Sequence, residues 1–164
     1  MKKVSSSLYL AKQNFKFSAT HFLIFNKQSA ERLHGHNYQV KVRIELPNEN
    51  EFSGEGFHID FSVFKKIIKA MCDEWDERVI LPSKQEDMKL TEKGPSLEVR
   101  FRNRFYVFPK DEVVLLPTAN TSVEEYSRLF AEKLLNELTP YRIRKLSVSV
   151  EETRGQMGTC TVEL

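Results

Sequence analysis

The alternation of apolar and polar side chains from His34 to Leu46 is the feature that most constrains how this chain can fold. Side chains point to opposite faces of a β-strand with a period of two, so the run predicts a strand with one buried and one solvated face. The face predicted to be buried carries Tyr38, Val40, Val42, Ile44 and Leu46. Such a strand is typical of an antiparallel sheet that is covered on one side.

Three of the four histidines belong to this face or to a neighbouring segment. His34 and His36 are in phase with the apolar set, so both imidazoles point the same way. A shorter alternation at 15–21 puts His21 in phase with Phe17. Three neutral imidazoles with one open position form the ligand set of a catalytic zinc ion. The pattern therefore predicts a zinc site made of His21, His34 and His36, provided that the two strands pair.

Another class of protein with a His-x-His pair fits less well. In cupin barrels a carboxylate follows the pair by four or five residues and a further histidine lies far downstream. Val40 and Lys41 occupy those positions here, and no histidine follows His58. We interpret His58 as an ordinary half-buried histidine in a short predicted strand at 56–61.

Length, charge and cysteine content limit the function classes. At 164 residues and a formal net charge of +2, the chain is most simply one domain, 1–164, without the field that attracts nucleic acid or membranes. No apolar run approaches the roughly 20 residues that cross a bilayer, and the N-terminal segment lacks the apolar core of a signal peptide. Cys72 and Cys160 are interpreted as buried, reduced thiols. We expect a cytoplasmic protein without nucleic-acid or membrane partners.

Helical periodicity appears twice. Apolar residues recur at helical spacing over 63–75, behind a candidate N-cap at Asp60 or Ser62. A second helix is predicted to begin at Ser122, the first residue of a capping-box sequence.

Further strands are predicted towards the C-terminus and between the helices. Alternation at 146–152 and 159–164 predicts an antiparallel pair, and the segment 82–117 is interpreted as an insertion with a hairpin that pairs 97–101 with 104–108. Strands grouped at the two ends of the chain, with helices between them, predict an α+β fold with one antiparallel sheet and two helices on one face.

Glu152 lies at the end of the alternating segment 146–152. It is in phase with Val148 and Val150, so a carboxylate caps a face that is otherwise apolar. Burying an unpaired carboxylate is costly. The pattern therefore predicts a partner for Glu152, either inside the protein or in a ligand that offers hydrogen-bond donors.

Five short motifs follow one another along the chain. They are Phe17-Ser18-Ala19-x-His21, His34-Gly35-His36-Asn37-Tyr38, Ile59-Asp60-Phe61, Trp75-Asp76 and Glu152-Thr153. In this order they resemble the 6-pyruvoyltetrahydropterin synthase family, which includes the 6-carboxytetrahydropterin synthases of queuosine biosynthesis. The resemblance extends over essentially the whole chain except 82–117.

The resemblance implies the tunnelling fold (T-fold), a four-stranded antiparallel sheet with two helices. It also implies homotrimers, often stacked as hexamers, with sites at the subunit interfaces. By the same resemblance the three histidines bind zinc, and Glu152 with Thr153 holds the pterin ring. The substrate implied is 7,8-dihydroneopterin triphosphate. Its triphosphate needs cations, for which Lys27, Arg32, Arg78 and Arg154 are the candidates near the motifs.

The chain departs from the family at two catalytic positions. Ala30 stands where the synthases carry a cysteine, and Asp76-Glu77 replaces their Asp-His pair. Glu31, three residues before His34, gives the pattern E-x-x-H-G-H. This pattern resembles a third type within the family, which takes the place of dihydroneopterin aldolase in folate synthesis and releases 6-hydroxymethyl-7,8-dihydropterin.

These departures lead to an expected mechanism and leave alternatives open. We expect a zinc-dependent lyase in which Glu31, Asp76 and Glu77 are the catalytic groups, with mutual repulsion raising the pKa of Glu31 or Glu77 if both point into the pocket. The alternatives are 6-carboxytetrahydropterin or 6-pyruvoyltetrahydropterin synthase activity. A further alternative is a pterin-binding protein without catalytic activity.

Overall fold

The computed structural model describes residues 6–47 and 59–164. Within these residues the chain forms two α-helices and ten β-strands. The helices are α1 (Phe61–Trp75) and α2 (Val123–Leu138). The strands are β1 (Ser7–Leu10), β2 (Lys16–His21), β3 (His34–Glu45), β4 (Arg78–Pro82), β5 (Met88–Lys93), β6 (Ser96–Phe101), β7 (Arg104–Pro109), β8 (Val113–Leu116), β9 (Lys145–Thr153) and β10 (Gln156–Glu163). A 3-10 turn at Lys110–Glu112 precedes β8.

The main sheet is centred on β3, the long alternating strand. One edge of β3 pairs antiparallel with β2 and β1, and its other edge pairs antiparallel with β9, which pairs in turn with β10. The predicted antiparallel sheet is therefore confirmed, with β2, β3, β9 and β10 as its principal strands. The register places His21 opposite His34 and Ala19 opposite His36, so these four side chains lie on the same face of the sheet.

Both helices begin where the sequence indicates. The Asp60 side chain accepts a hydrogen bond from the backbone N–H of Ser62 at the start of α1, and the Ser122 side chain accepts one from the N–H of Glu125 at the start of α2. Such caps satisfy backbone donors that lack a helical partner. Helix α2 packs on β9 and β10, and α1 packs on β2. Among the described helices, none combines the length and the apolar character needed to cross a membrane.

Aromatic rings fill the space between the sheet and the helices next to the histidines. Phe17 stacks on Tyr38 with ring centroids 4.8 Å apart and meets Trp75 edge-on at 5.4 Å. Tyr126 and Phe130 of α2 complete the cluster. All five rings are buried. Rigid, interlocking rings of this kind fix the sheet end on which the histidines lie.

The segment between the helices is larger than a hairpin. The predicted pairing of β6 with β7 is confirmed, but β5 adds a third strand to this small sheet. The main sheet also gains β4 and β8, which run parallel to β2 and to each other, so it is mixed rather than purely antiparallel. Our prediction missed β4 because Val79, Ile80 and Leu81 form a continuous apolar run, typical of parallel strands, and not an alternation.

Some predictions concern residues that are only partly described. Half of the predicted strand at 56–61, including His58, lies outside the described residues. The described half is not a strand, because Asp60 caps α1 and Phe61 is the first residue of that helix. Cys72 is buried as expected, whereas Cys160 is half-buried, and neither forms a disulfide.

Candidate functional site

The three predicted histidines form one cluster at the end of the main sheet. One nitrogen from each of His21, His34 and His36 lies within 4.8 Å of the others. The ring centroids of His21 and His34 are 5.0 Å apart, and those of His34 and His36 are 4.7 Å apart. The cluster follows directly from the strand register, because facing positions of β2 and β3 share one side of the sheet.

Backbone carbonyls orient two of the three rings. Nδ1 of His21 lies 2.8 Å from the carbonyl oxygen of Thr121, and Nδ1 of His34 lies 2.7 Å from that of Arg32. A carbonyl only accepts hydrogen bonds, so in both rings Nδ1 carries the proton and Nε2 of the neutral ring keeps its lone pair. Metal-binding histidines have this outer hydrogen bond as a rule. The donor set therefore fits a metal ion.

Burial favours the ligating form of His21. Its side chain is only 2 % exposed, and this desolvation lowers the pKa of the imidazole, an effect that outweighs the carbonyl of Thr121 and the carboxylate of Glu152, which both raise it. A neutral imidazole is the form that binds a metal. The neutral His21 imidazole can therefore bind a cation.

The Glu152 carboxylate meets the histidine cluster. Its Oε1 lies 3.3 Å from Nε2 of His21 and 3.5 Å from Nε2 of His36. The hydroxyl of Tyr38 donates a hydrogen bond to the same oxygen over 3.3 Å and lies 2.9 Å from Nε2 of His21. Because Nε2 of His21 keeps its lone pair, the Tyr38 hydroxyl is the donor that meets Glu152 here, and the Glu152 side chain remains 26 % exposed.

Tyr38 was not predicted as a site residue. Burial, together with the charge of Glu152, raises the pKa of the Tyr38 phenol far above its usual value, so the group remains a hydrogen-bond donor. Its place in the apolar phase of β3 made it a core residue by pattern, and only its polar tip distinguishes it from Val40. The Tyr38 ring is part of the core, and its hydroxyl is part of the candidate site.

Glu31 lies at the rim of the cluster. Its Oε2 is 3.7 Å from Nε2 of His34 and accepts a hydrogen bond from the backbone N–H of Leu23 over 3.0 Å. The backbone N–H of Glu31 in turn donates to the carbonyl of Leu23 over 2.9 Å. The carboxylate is one-third exposed. It is therefore fixed by the backbone and open to a molecule bound beside His34.

The other predicted site residues make different contacts. Oδ1 of Asp76 accepts a hydrogen bond from the N–H of Ser18 over 2.7 Å, which joins the end of α1 to β2. Glu77, which has a positive φ of 57°, donates its own N–H to the carbonyl of Ser18. The hydroxyl of Thr153 donates to the side chain of Gln156 on the surface.

Glu77 borders a cavity on β2 and β3. Its lining includes Ser18, Thr20, His36 and Asn37, and also Arg78, one of the candidate cations. Ser18 and Thr20 alternate with His21 along β2, so the cavity opens mainly on the face opposite the histidine rings. Within a single chain, the structure brings Glu31 and Glu152 into contact with the histidines, and Glu77 lies apart from them.

Comparison with known proteins agrees with this geometry. The sequence profile of the 6-pyruvoyl tetrahydropterin synthase family matches residues 10–163. A protein of Methanocaldococcus jannaschii named as a putative 6-carboxy-5,6,7,8-tetrahydropterin synthase is 32% identical over 148 residues, which cover 88% of each chain. A Pyrococcus abyssi protein of the same name is 31% identical over all of this chain and 97% of its own length.

Comparison with solved structures shows which fold the chain shares. The crystal structure of 6-pyruvoyl tetrahydropterin synthase from Plasmodium vivax is 28% identical and superposes with a TM-score of 0.89, over 98% of this chain and 99% of the other. Two further structures of that enzyme, equally similar, carry alanine or cysteine in place of a glutamate described as a catalytic residue. The match of the family profile to nearly the whole chain, on this T-fold, shows that the protein belongs to the 6-pyruvoyl tetrahydropterin synthase family.

Proposed function

We propose that the protein is a zinc-dependent lyase that converts 7,8-dihydroneopterin triphosphate to 6-hydroxymethyl-7,8-dihydropterin. The observation that carries the proposal is the Glu31 carboxylate beside His34, together with Ala30 at the position of the synthases' cysteine. The Plasmodium vivax enzyme, in which a glutamate is described as catalytic, supports a carboxylate in this role. We place Glu31 in the position of that glutamate.

His21, His34 and His36 would hold the zinc ion. Bound there, zinc would act as a Lewis acid on the hydroxyl groups of the substrate side chain. The carbonyls of Thr121 and Arg32 fix the rings that present Nε2, so the site needs little rearrangement to accept the ion.

Glu31 would be the proton carrier of a retro-aldol cleavage. Its carboxylate takes the proton of the C2′ hydroxyl, the C1′–C2′ bond breaks, and the electron pair moves through C1′ and C6 to N5 of the dihydropterin. Return of a proton to C1′ completes 6-hydroxymethyl-7,8-dihydropterin, and the other product is the two-carbon aldehyde that carries the triphosphate. The hydrogen bond from Leu23 holds Oε2 of the carboxylate beside His34, where the group can take the proton.

Glu152 would bind the pterin ring, with Thr153 at the rim. A carboxylate can accept both the amino and the ring N–H donors of a pterin. Tyr38 supports this role because its hydroxyl holds Oε1 of Glu152 from the core side. Arg32 and Arg154 are exposed and remain candidates for the triphosphate.

Asp76 and Glu77 would complete the catalytic set only in an assembly. We propose a cytoplasmic homotrimer or homohexamer with sites at the subunit interfaces. The edge strands β8 and β10 of the main sheet support this assembly, since an edge strand offers unpaired backbone groups to another chain. Light scattering at several concentrations measures the mass: a monomer at all of them would contradict the assembly.

A second candidate function is that of a 6-carboxytetrahydropterin synthase. The names of the archaeal relatives favour it. In that case Glu31 or Glu77 would act in place of the missing cysteine and histidine. A pterin-binding protein without catalysis is the remaining alternative.

Product identification separates these functions. Metal-loaded protein is incubated with 7,8-dihydroneopterin triphosphate, and the pterin is identified by fluorescence and mass. The proposal predicts 6-hydroxymethyl-7,8-dihydropterin. A carboxy or pyruvoyl product would support the synthases, and unchanged substrate that stays bound would support the binding protein.

A further inference from the structure

We infer that Arg104, in the segment between the helices, is a positioning residue that holds Glu31 at the histidine cluster. Arg104 lies on β7, more than seventy residues from Glu31 along the chain. Its importance for turnover rests on the proposed function of Glu31, whereas its effect on the geometry of the Glu31 loop does not.

Arg104 contacts the carbonyls of two consecutive peptide groups in the Glu31 loop. Its Nη1 donates a hydrogen bond to the carbonyl of Glu31, and its Nη2 donates to the carbonyl of Ala30 over 3.1 Å. The guanidinium carbon lies 5.7 Å from the ring centroid of Phe22 and 5.8 Å from that of Phe101. The planar guanidinium thus binds two consecutive carbonyls of the loop while it packs against two buried rings.

The small sheet holds the same loop at a second point. Arg102, in the β6–β7 turn, donates to the carbonyl of Asn26 over 2.6 Å and is itself held by Asp87 over 3.0 Å. Beneath these arginines, Phe22 packs with Leu97, Val99 and Phe101 in a core of its own, against which Ala30 and Leu33 also pack. The small sheet of β5, β6 and β7 is therefore the support on which residues 22–33 lie.

This support fixes the direction of the Glu31 side chain. The Glu31 N–H is bound to Leu23, its carbonyl is bound to Arg104, and its carboxylate accepts from the N–H of Leu23. With both backbone polar groups held, little freedom remains for Oε2 to leave His34. A catalytic group displaced by about 1 Å can lose about 100-fold in rate.

The test compares Arg104→Gln and Arg104→Lys with Arg100→Gln. Arg100 is exposed on the same hairpin and packs over Phe105, away from the loop, so it is a matched control. Each variant is made in the wild-type chain and in Glu31→Gln. The measurements are kcat and KM with 7,8-dihydroneopterin triphosphate, zinc content, and amide hydrogen exchange at Leu23 and Glu31.

We expect Arg104→Gln to lower kcat by about tenfold to 100-fold with KM and zinc content near those of the wild type. The kcat of Arg104→Lys should lie between those of the wild type and Arg104→Gln, since one ammonium group cannot make both hydrogen bonds of the guanidinium. In the Glu31→Gln background, Arg104→Gln should lower kcat little further. Exchange at Leu23 and Glu31 should accelerate while the amides between β3 and β9 stay protected, and Arg100→Gln should change nothing.

Each of the remaining outcomes would contradict either the inference about Arg104 or the proposed role of Glu31. Unchanged kcat and unchanged exchange in Arg104→Gln would overturn the inference, as would an equal loss of kcat in the Glu31→Gln background. If Arg104→Gln does not fold, Arg104→Lys gives the same comparison. If Glu31→Gln retains full turnover, the proposed role of Glu31 fails, and hydrogen exchange alone then decides whether Arg104 holds the loop.

Discussion

Oε2 of Glu31 lies 3.7 Å from Nε2 of His34, too far for a hydrogen bond and close enough for the carboxylate to contact a hydroxyl group bound at the histidine cluster. The same oxygen is already held by the N–H of Leu23. A carboxylate anchored by the backbone at the edge of a three-histidine cluster can carry a proton without leaving its place. This relationship underlies the proposed chemistry.

Metal binding should require the cluster. We predict about one zinc ion per chain in the purified protein, and loss of most of it in His34→Ala, because two imidazoles and a partly exposed carboxylate form a poorer ligand set. Metal analysis after dialysis measures the content. His58→Ala is the matched control and should keep its zinc. Equal zinc in His34→Ala and the wild type would contradict the assignment of the ligands.

The Tyr38 hydroxyl should affect substrate binding more than folding. In Tyr38→Phe the ring still stacks on Phe17, but Glu152 loses a donor and His21 loses a neighbour, a change worth about 1–3 kcal/mol. We expect KM to rise by roughly tenfold, with a small fall in the melting temperature. Tyr9→Phe, at an exposed position, is the control. An unchanged KM would show that Tyr38 does not orient Glu152.

Asp76 should contribute to stability through its contact with β2. Asp76→Ala leaves the N–H of Ser18 without its acceptor and should lower the free energy of unfolding by about 1–2 kcal/mol. Asp76→Asn keeps an acceptor oxygen and should lose less. Urea unfolding of both variants measures the difference. Equal stability of the two variants would mean that the hydrogen bond does not matter, and a loss of turnover beyond the loss of stability in Asp76→Asn would support a catalytic role.

Gly158 allows α2 to approach the sheet. A Cβ atom at this position would lie 2.7–2.8 Å from backbone atoms of Val123 and Glu124, where neither can move easily. Gly158→Ala should therefore destabilise the fold by about 1–3 kcal/mol. Met157→Ala, at the exposed neighbouring position, should change little. Thermal unfolding checks both, and an unperturbed Gly158→Ala would contradict the close packing.

The sequence predicted the parts of the site that depend on local periodicity. Alternation along β2 and β3 was enough to place His21, His34 and His36 on one face. The spacing of Glu31 predicted that it lies near His34, but its orientation depends on Leu23 and Arg104. The phase of Glu152 predicted that it needs a partner. Its contacts with His21 and Tyr38 depend on how β9 and β2 flank β3, which periodicity does not determine.

The residues that the sequence missed act over long distances along the chain. Thr121 orients His21 from the start of α2, about a hundred residues away, and Arg104 holds the Glu31 loop from β7. Each contributes a backbone carbonyl or a side chain that has no pattern of its own. The segment at 82–117, interpreted only as an insertion with a hairpin, also supplies β8 to the main sheet, because its apolar run pairs in parallel with β4.

Turnover of Glu31→Gln tests the central claim most directly. Glutamine keeps the shape of the side chain and can still accept from Leu23, but it cannot take a proton. With zinc content equal to that of the wild type, we predict that kcat for release of 6-hydroxymethyl-7,8-dihydropterin falls by at least about 100-fold, whereas Glu132→Gln on the exposed side of α2 retains full activity. Wild-type turnover in zinc-loaded Glu31→Gln would contradict the account.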